Sequence, residues 1–413
     1  MGRAVSAVLH EPEDQVRIPF AKTEISPEAR EAAARVLASG WITTGPEVVE
    51  FERDFAELVG AEHAVAVASC TAAIEIALRA LRLPSGAKVL TSTMTFCGAV
   101  HAIIHAGLQP VLVDVNARTL MPDAETVADA VRLLGPVDAM VVIHFGGFPA
   151  PVQEMAAAAG LPLTRVIEDA AHAIGTKVGD RWVGTISAAT CFSFYATKNL
   201  PIGEGGMLTT ADPEMADYAR QVRLHGMSRD AWKRYLPGSG WRYEVDVAGI
   251  KANMTDVQAA IGRGQLKHLT YWQDRRLGLA RAYDLRLSRI EGLRTPPWPD
   301  RGQHAWHLYV VQVEPGFGVD RDSFIRRLAE RGVDCSVHFI PLHHQPYFQR
   351  LLATQVKQTF PVADAVFPGI VSLPFYPGLS DDMVDRVCEE IDGIRQSAIA
   401  GSALVAGGGG VTT

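Results

Sequence analysis

The chain has 413 residues, with 39 Lys and Arg against 46 Asp and Glu, a formal net charge of −7. Its 48% hydrophobic and 21% charged residues exclude a disordered chain, in which charge would be high and hydrophobicity low. The acidic balance offers nucleic acid or anionic lipid no general attraction, so an anionic ligand must be held by a local site. At about 150 residues per domain the length predicts two or three domains. Five widely spaced cysteines, Cys70, Cys97, Cys191, Cys335 and Cys388, argue against both a disulfide framework and a structural zinc site. Together with the lack of a signal-peptide pattern in residues 1–16 and of any run near the roughly 18 apolar residues of a membrane span, they predict a cytoplasmic protein.

From about Ser26 to Thr210 short apolar runs alternate with helical patterns. Ala64–Ala68 reads as a strand and Thr71–Leu83 as a helix, with Ile74, Ala77, Leu78 and Leu81 on one face. Lys88–Leu90, Val111–Val113, Met140–Ile143 and Arg165–Ile167 continue the strand series, and Ala99–Ala106 and Glu125–Leu134 the helical one. Continuous apolar strands separated by helices predict an α/β fold, a mostly parallel sheet covered on both faces. The runs Ala189–Tyr195 and Met207–Thr210 extend it. Thr255–Ile290 reads as one long helix or two stacked ones. A strand at His307–Val313, a helix at Arg321–Arg331, a strand at Val333–Ile340 and a helix at Asp381–Gln396 then describe a smaller α+β domain. The expected divisions are an extension at 1–17, a large domain at 18–260, a small domain at 261–398 and a Gly-rich tail at 399–413.

In an open parallel sheet, ligands bind beyond the carboxyl ends of the strands. The first strand is followed by Ser69-Cys70-Thr71-Ala72, a helix mouth able to take a phosphate, although Ser69 also suits simple capping. Glu168-Asp169 closes another strand, and carboxylates there must be hydrogen-bonded, meet a cation or cap a helix. Lys198 follows Ala189–Tyr195 and precedes Gly203-Glu204-Gly205-Gly206, a position where desolvation lowers an amine's pKa. A phosphate cradle, a strand-end carboxylate, a lysine 29 positions later and an aromatic, Phe96, together match what pyridoxal 5′-phosphate requires.

The sequence resembles the sugar aminotransferases of the DegT/DnrJ/EryC1/StrS family, which share the aspartate aminotransferase fold (fold type I). The resemblance runs from about Ile18 to beyond residue 390. It is carried by Gly40–Pro46, Ser69–Ala73, Thr93–Phe96, Glu168–His172, Ser193–Asn199, Gly203–Gly206, Arg223–Gly226, Asn253–Ala260 and Val337–His343. It implies that Lys198 is the Schiff-base lysine and proton shuttle, Asp169 the partner of the pyridinium nitrogen and Phe96 the stacking aromatic. Cys70 and Thr71 would hold the phosphate through backbone amides and the Thr hydroxyl, assisted by Ser193. Asn253 would reach the phosphate of the neighbouring subunit in a homodimer. His172 stands where many relatives carry Gln near the phenolic oxygen of the cofactor. His225, Arg229 and His338 are the candidate substrate contacts.

Relatives that remove a sugar hydroxyl carry histidine at the position of Lys198, so the lysine implies transamination. L-glutamate would load the cofactor as pyridoxamine phosphate, and a nucleotide-linked ketosugar would accept the amine. Ala196–Gly206 and Arg229–Tyr235 resemble the C4 enzymes acting on dTDP-4-keto-6-deoxyhexoses. Alternatives are a C3 ketosugar or ketocyclitol substrate, or a non-catalytic binding protein on the same fold. Gly-x-Gly-x-x-Gly and P-loop motifs are absent, which disfavours dinucleotide and P-loop enzymes. His338 with His343-His344, and the pair His101 and His105, lack a carboxylate or third ligand at metal spacing, so no metal is expected. The aromatic and basic stretch Trp232–Arg242 suits a nucleotide diphosphate better than nucleic acid.

Overall fold

The computed structural model describes residues 17–227, 243–356 and 358–407. Its central layer is a seven-stranded sheet of β1 (His63–Val67), β2 (Lys88–Ser92), β3 (Gln109–Val113), β4 (Ala139–Ile143), β5 (Val166–Asp169), β8 (Ala189–Ser193) and β9 (Gly206–Thr210). The order across the sheet is β1-β9-β8-β5-β4-β2-β3. β9 alone runs against both its neighbours. The small hairpin β6 (Lys177–Val178) and β7 (Arg181–Trp182) stands apart. The strands are almost wholly buried, as unbroken apolar runs covered on both faces demand.

The covering helices are α1 (Pro27–Ser39), α2 (Pro46–Val59), α3 (Cys70–Ala80), α4 (Cys97–His105), α5 (Ala124–Leu134), α6 (Val152–Ala158), α7 (Pro213–Val222) and α8 (Asp256–Leu266). Phe55 of α2 packs edge-on against Phe192 and Phe194, and Phe51 lies tilted against Phe194, in the core on one side of the sheet. Glu52, next to Phe51, is buried with Arg223 as its ion-pair partner, and its carboxylate also accepts from Ala66 N–H at 2.9 Å.

The expected long helix divides into α8 and α9 (Leu269–Leu287). A second, three-stranded sheet joins β10 (Leu293–Arg294), β11 (Val310–Val313) and β12 (Ile370–Ser372), all antiparallel. α10 (Arg321–Glu330), α11 (Pro346–Leu352), α12 (Pro361–Val366) and α13 (Asp381–Gly407) complete the chain.

Three expectations are corrected. Val333–Ile340 alternates like a strand but makes only the single bridges Ile18↔Val333 and Ser336↔Ser372; its later residues line a cavity instead. β11 begins at Val310, because the His307 and Leu308 N–H groups are taken by the Gly146 carbonyl at 2.8 and 3.2 Å. The last helix continues past Gln396 to Gly407, through a stretch whose four alanines favour helix despite Gly401. No described helix is long and apolar enough to cross a membrane.

Candidate active site

Parallel strands place their carboxyl ends on one edge, and there a cavity of about 530 Å³ opens. It is lined by Ser69, Cys70 and Thr71 after β1, Phe96 after β2, Asp169 and His172 after β5, and Ser193 and Lys198 after β8. His338 reaches it from the segment before β12. Residues more than a hundred positions apart thus share one chamber.

Each element aims its side chain for a local reason. Ser69 caps α3, its Oγ accepting from Ala72 N–H at 3.1 Å, so capping and an anion-ready helix mouth are the same feature. A Cβ on Gly206 would lie 2.4 Å from the Ser69 carbonyl carbon and 2.6 Å from Cys70 N, so only glycine lets β9 pass this close to the mouth. The Cys70 thiol turns inward, 3.6 Å from Asp169 Oδ1 and 3.3 Å from the Cys191 carbonyl. Phe96 is 61% exposed at the start of α4, an apolar face left for a ligand to cover.

Asp169 is buried and its Oδ1 accepts from Ala171 N–H at 3.1 Å, with no helix following. Helix capping is therefore excluded as its role. Burial raises its carboxyl pKa, against the pull of the Ala171 N–H and the Lys198 ammonium. Burial likewise lowers Lys198, to about 8, against the attraction of Asp169. Glu168 points to the other face of β5, where it accepts from Ser187 Oγ at 2.7 Å, Thr190 Oγ1 at 3.0 Å and His144 Nε2 at 2.8 Å. His144 Nδ1 accepts from Ala150 N–H, which leaves the proton on Nε2. The two acidic neighbours thus have separate partners.

His172 takes the Gly146 N–H on Nδ1 at 3.1 Å, so its proton sits on Nε2. Burial holds its pKa well below the usual imidazole value, followed in effect by Lys198 and His338. The residue is a neutral donor, which answers the protonation question its replacement of Gln raises. Sequence reasoning missed His307, Phe339, Phe20 and Asn199. His307 and Phe339 ring centroids lie 4.4 and 5.9 Å from His172. The only signal for His307 was its place at the head of the expected strand His307–Val313, after His304-Ala305-Trp306.

Two expected residues lie outside that chamber. Asn253 donates to Thr44 Oγ1 at 2.6 Å and faces a second cleft with Arg220, Arg223 and Met227. His225, exposed and at φ 60°, lies beside that cleft. Arg229 and the stretch Trp232–Arg242 fall outside the described residues. His101 stacks on Phe348 of α11, and His105 lies 3.6 Å from Glu75.

The DegT/DnrJ/EryC1/StrS aminotransferase family model matches residues 23–392. The chain belongs to that family. It is 45% identical to the spore coat polysaccharide biosynthesis protein SpsC of Bacillus subtilis, over 92% of this chain and 98% of that protein. Among solved structures, the aminotransferase TlmJ of Streptoalloteichus hindustanus superposes with a TM-score of 0.82 at 32% identity, covering 92% of this chain and 100% of that one. The sugar aminotransferase CalS13 of Micromonospora echinospora gives 0.80 at 28%, covering 91% and 99%. As a DegT-family enzyme of fold type I, the protein is a sugar aminotransferase that uses pyridoxal 5′-phosphate. The donor set fits that cofactor: a buried carboxylate, a desolvated lysine, a capped helix mouth kept open by Gly206 and an uncovered aromatic face share one chamber.

Proposed function

We propose that the enzyme moves an amino group from L-glutamate to the C4 ketone of a dTDP-4-keto-6-deoxyhexose, for an aminosugar of a secondary metabolite or a surface glycan. The observation that carries the reading is Lys198 and Asp169 lining one buried chamber beside the α3 mouth. Asp169 would hold the ring nitrogen of pyridoxal phosphate, Cys70, Thr71 and Ser193 its phosphate, Phe96 one ring face and His172 its phenolic oxygen. Bound there, the cofactor supplies a ring that withdraws electrons from the carbon losing its proton.

Lys198 anchors the group and moves the proton. With a pKa of about 8, it is partly neutral near pH 7 and able to accept a proton from the α-carbon of the donor and give it back. The Asp169 carboxylate, excluded from water, favours a protonated ring nitrogen. His172 donates through Nε2–H without adding charge. Phe20, His338 and Phe339 also line the chamber, where the sugar would be received.

The homodimer belongs to this reading, with Asn253 serving the phosphate of its neighbour. In its support, Asn253 faces a cleft of its own rather than the Lys198 chamber. The division near residue 260 into a cofactor-binding and a smaller domain is supported by two separate sheets, although one core is shared, with Val310 and Ile370 of the smaller sheet in the same cluster as Leu112 and Met140 of the larger. The test is to incubate purified enzyme with L-glutamate and, separately, dTDP-linked 4-ketosugars, 3-ketosugars and a ketocyclitol, and to locate the new C–N bond by NMR. Amination at C4 alone is expected; product only from a 3-ketosugar or ketocyclitol overturns the C4 assignment.

A further inference from the structure

Where the sequence offered His343-His344 no carboxylate, the tertiary structure brings one. Leu342–His344 forms a single 3₁₀ turn pinned to the end of β2, its Leu342 N–H donating to the Thr93 carbonyl at 2.8 Å. His343 Nδ1 lies 2.7 Å from Thr93 Oγ1, and its Nε2 lies 2.8 Å from Asp364 Oδ1. His344 Nε2 reaches the same Oδ1 at 2.7 Å. The two rings stand at 72° to each other, so adjacent residues converge on one point from different directions. Asp364 is itself positioned: Asp114, just after β3, accepts the Val362 and Ala363 N–H groups at 2.9 and 2.8 Å and so fixes the start of α12.

We propose that His343, His344 and Asp364 bind a divalent transition-metal ion of the zinc class, which clamps the 337–344 wall of the active-site chamber against the central sheet. The three donor atoms lie within 4.8 Å of one another; ligands about 2.0–2.2 Å from a tetrahedral ion stand roughly 3.4 Å apart, so side-chain adjustment alone brings the three to ligating distance. Oδ1 now occupies the point on which both Nε2 atoms converge. Asp364 is half exposed, so its carboxylate can withdraw to admit the ion and leave a fourth position for water.

Thr93 suits either state. Without an ion its hydroxyl donates to His343 Nδ1 while Nε2–H donates to Asp364. With an ion, Nδ1–H donates to Thr93 Oγ1 and frees the Nε2 lone pair, the outer-shell contact that orients a metal-bound imidazole. Thr93 precedes Phe96 by three residues, and Phe339 precedes His343 by four. An ion here would therefore tighten two walls of the chamber at once.

The experiment uses the cofactor-loaded enzyme after chelation and dialysis, titrated with Zn²⁺ by calorimetry and with Co²⁺ by visible absorption. One ion per chain with tetrahedral Co²⁺ bands is expected, and His344→Ala and Asp364→Asn should each weaken binding about tenfold or more. Both side chains are partly exposed, so circular dichroism and cofactor absorbance should match those of the parent. Zn²⁺ should raise the melting temperature of the parent and not of the variants. No binding, or binding that both variants retain in full, overturns the proposal: the cluster is then a hydrogen-bonded clamp only, or the ion sits elsewhere.

Discussion

Asn199, the residue after Lys198, fixes the tautomer of His307. Its Nδ2 donates to the Ala305 carbonyl at 2.9 Å, which turns Oδ1 to accept from His307 Nδ1 at 3.0 Å. His307 Nε2 therefore carries a lone pair, while the neighbouring His172 carries Nε2–H. The chamber wall presents one neutral acceptor and one neutral donor side by side.

Replacing Asn199 by Ala strands a buried N–H and a buried carbonyl. A stability loss of about 1–3 kcal/mol is expected in denaturant titrations. A variant as stable as the parent would show that water takes over both bonds.

Lys198→Ala should abolish both half-reactions while leaving the fold intact, as read by loss of glutamate-dependent change in the cofactor spectrum. Asp169→Asn retains size but not charge, and should lower kcat by about 10²–10³-fold. A kcat for Asp169→Asn near that of the parent would remove Asp169 from its assigned role.

Acid should destabilise the protein through its chamber histidines. Burial lowers His338 to about 4 and holds His172 and His307 well below the ordinary value. Unfolded, the three titrate near 6.5, so between about pH 6.5 and 4 the unfolded chain binds more protons and stability falls as pH falls. Comparing unfolding free energies at about pH 7 and 5 for the parent and His338→Gln should show a shallower dependence in the variant. Parallel curves would mean that His338 is not held neutral in the folded enzyme.

Glu52→Ala should cost about 3–5 kcal/mol, because it leaves the Arg223 guanidinium buried without its carboxylate. Glu52→Gln, which keeps an acceptor for Ala66 N–H, should lose less; equal losses would assign the effect to packing.

Mixing inactive Lys198→Ala with inactive Asn253→Ala chains tests whether the site is shared between protomers. After subunit exchange, mixed dimers contain one site free of both changes, and roughly a quarter of parental activity should return. No recovery, given proven exchange, would place Asn253 and Lys198 in the same site.

Local chemistry was legible in the sequence by itself. Unbroken apolar runs with helices between them could only be a sheet covered on both faces, and Ser69, Asp169 and Lys198 each follow such a run. Strand ends of a parallel sheet share an edge, so their meeting was implied. What the sequence could not reveal depends on partners far along the chain. The strand-like 333–340 forms a cavity wall because Ser372 and Ile18 offer only isolated bridges. The proton positions on His172 and His307 follow from Gly146 and Asn199, and Asp364 meets His343 only because Asp114 holds its helix there. Periodicity records which face of an element is apolar, whereas hydrogen-bond direction and ligand convergence exist only once distant backbones have been brought together.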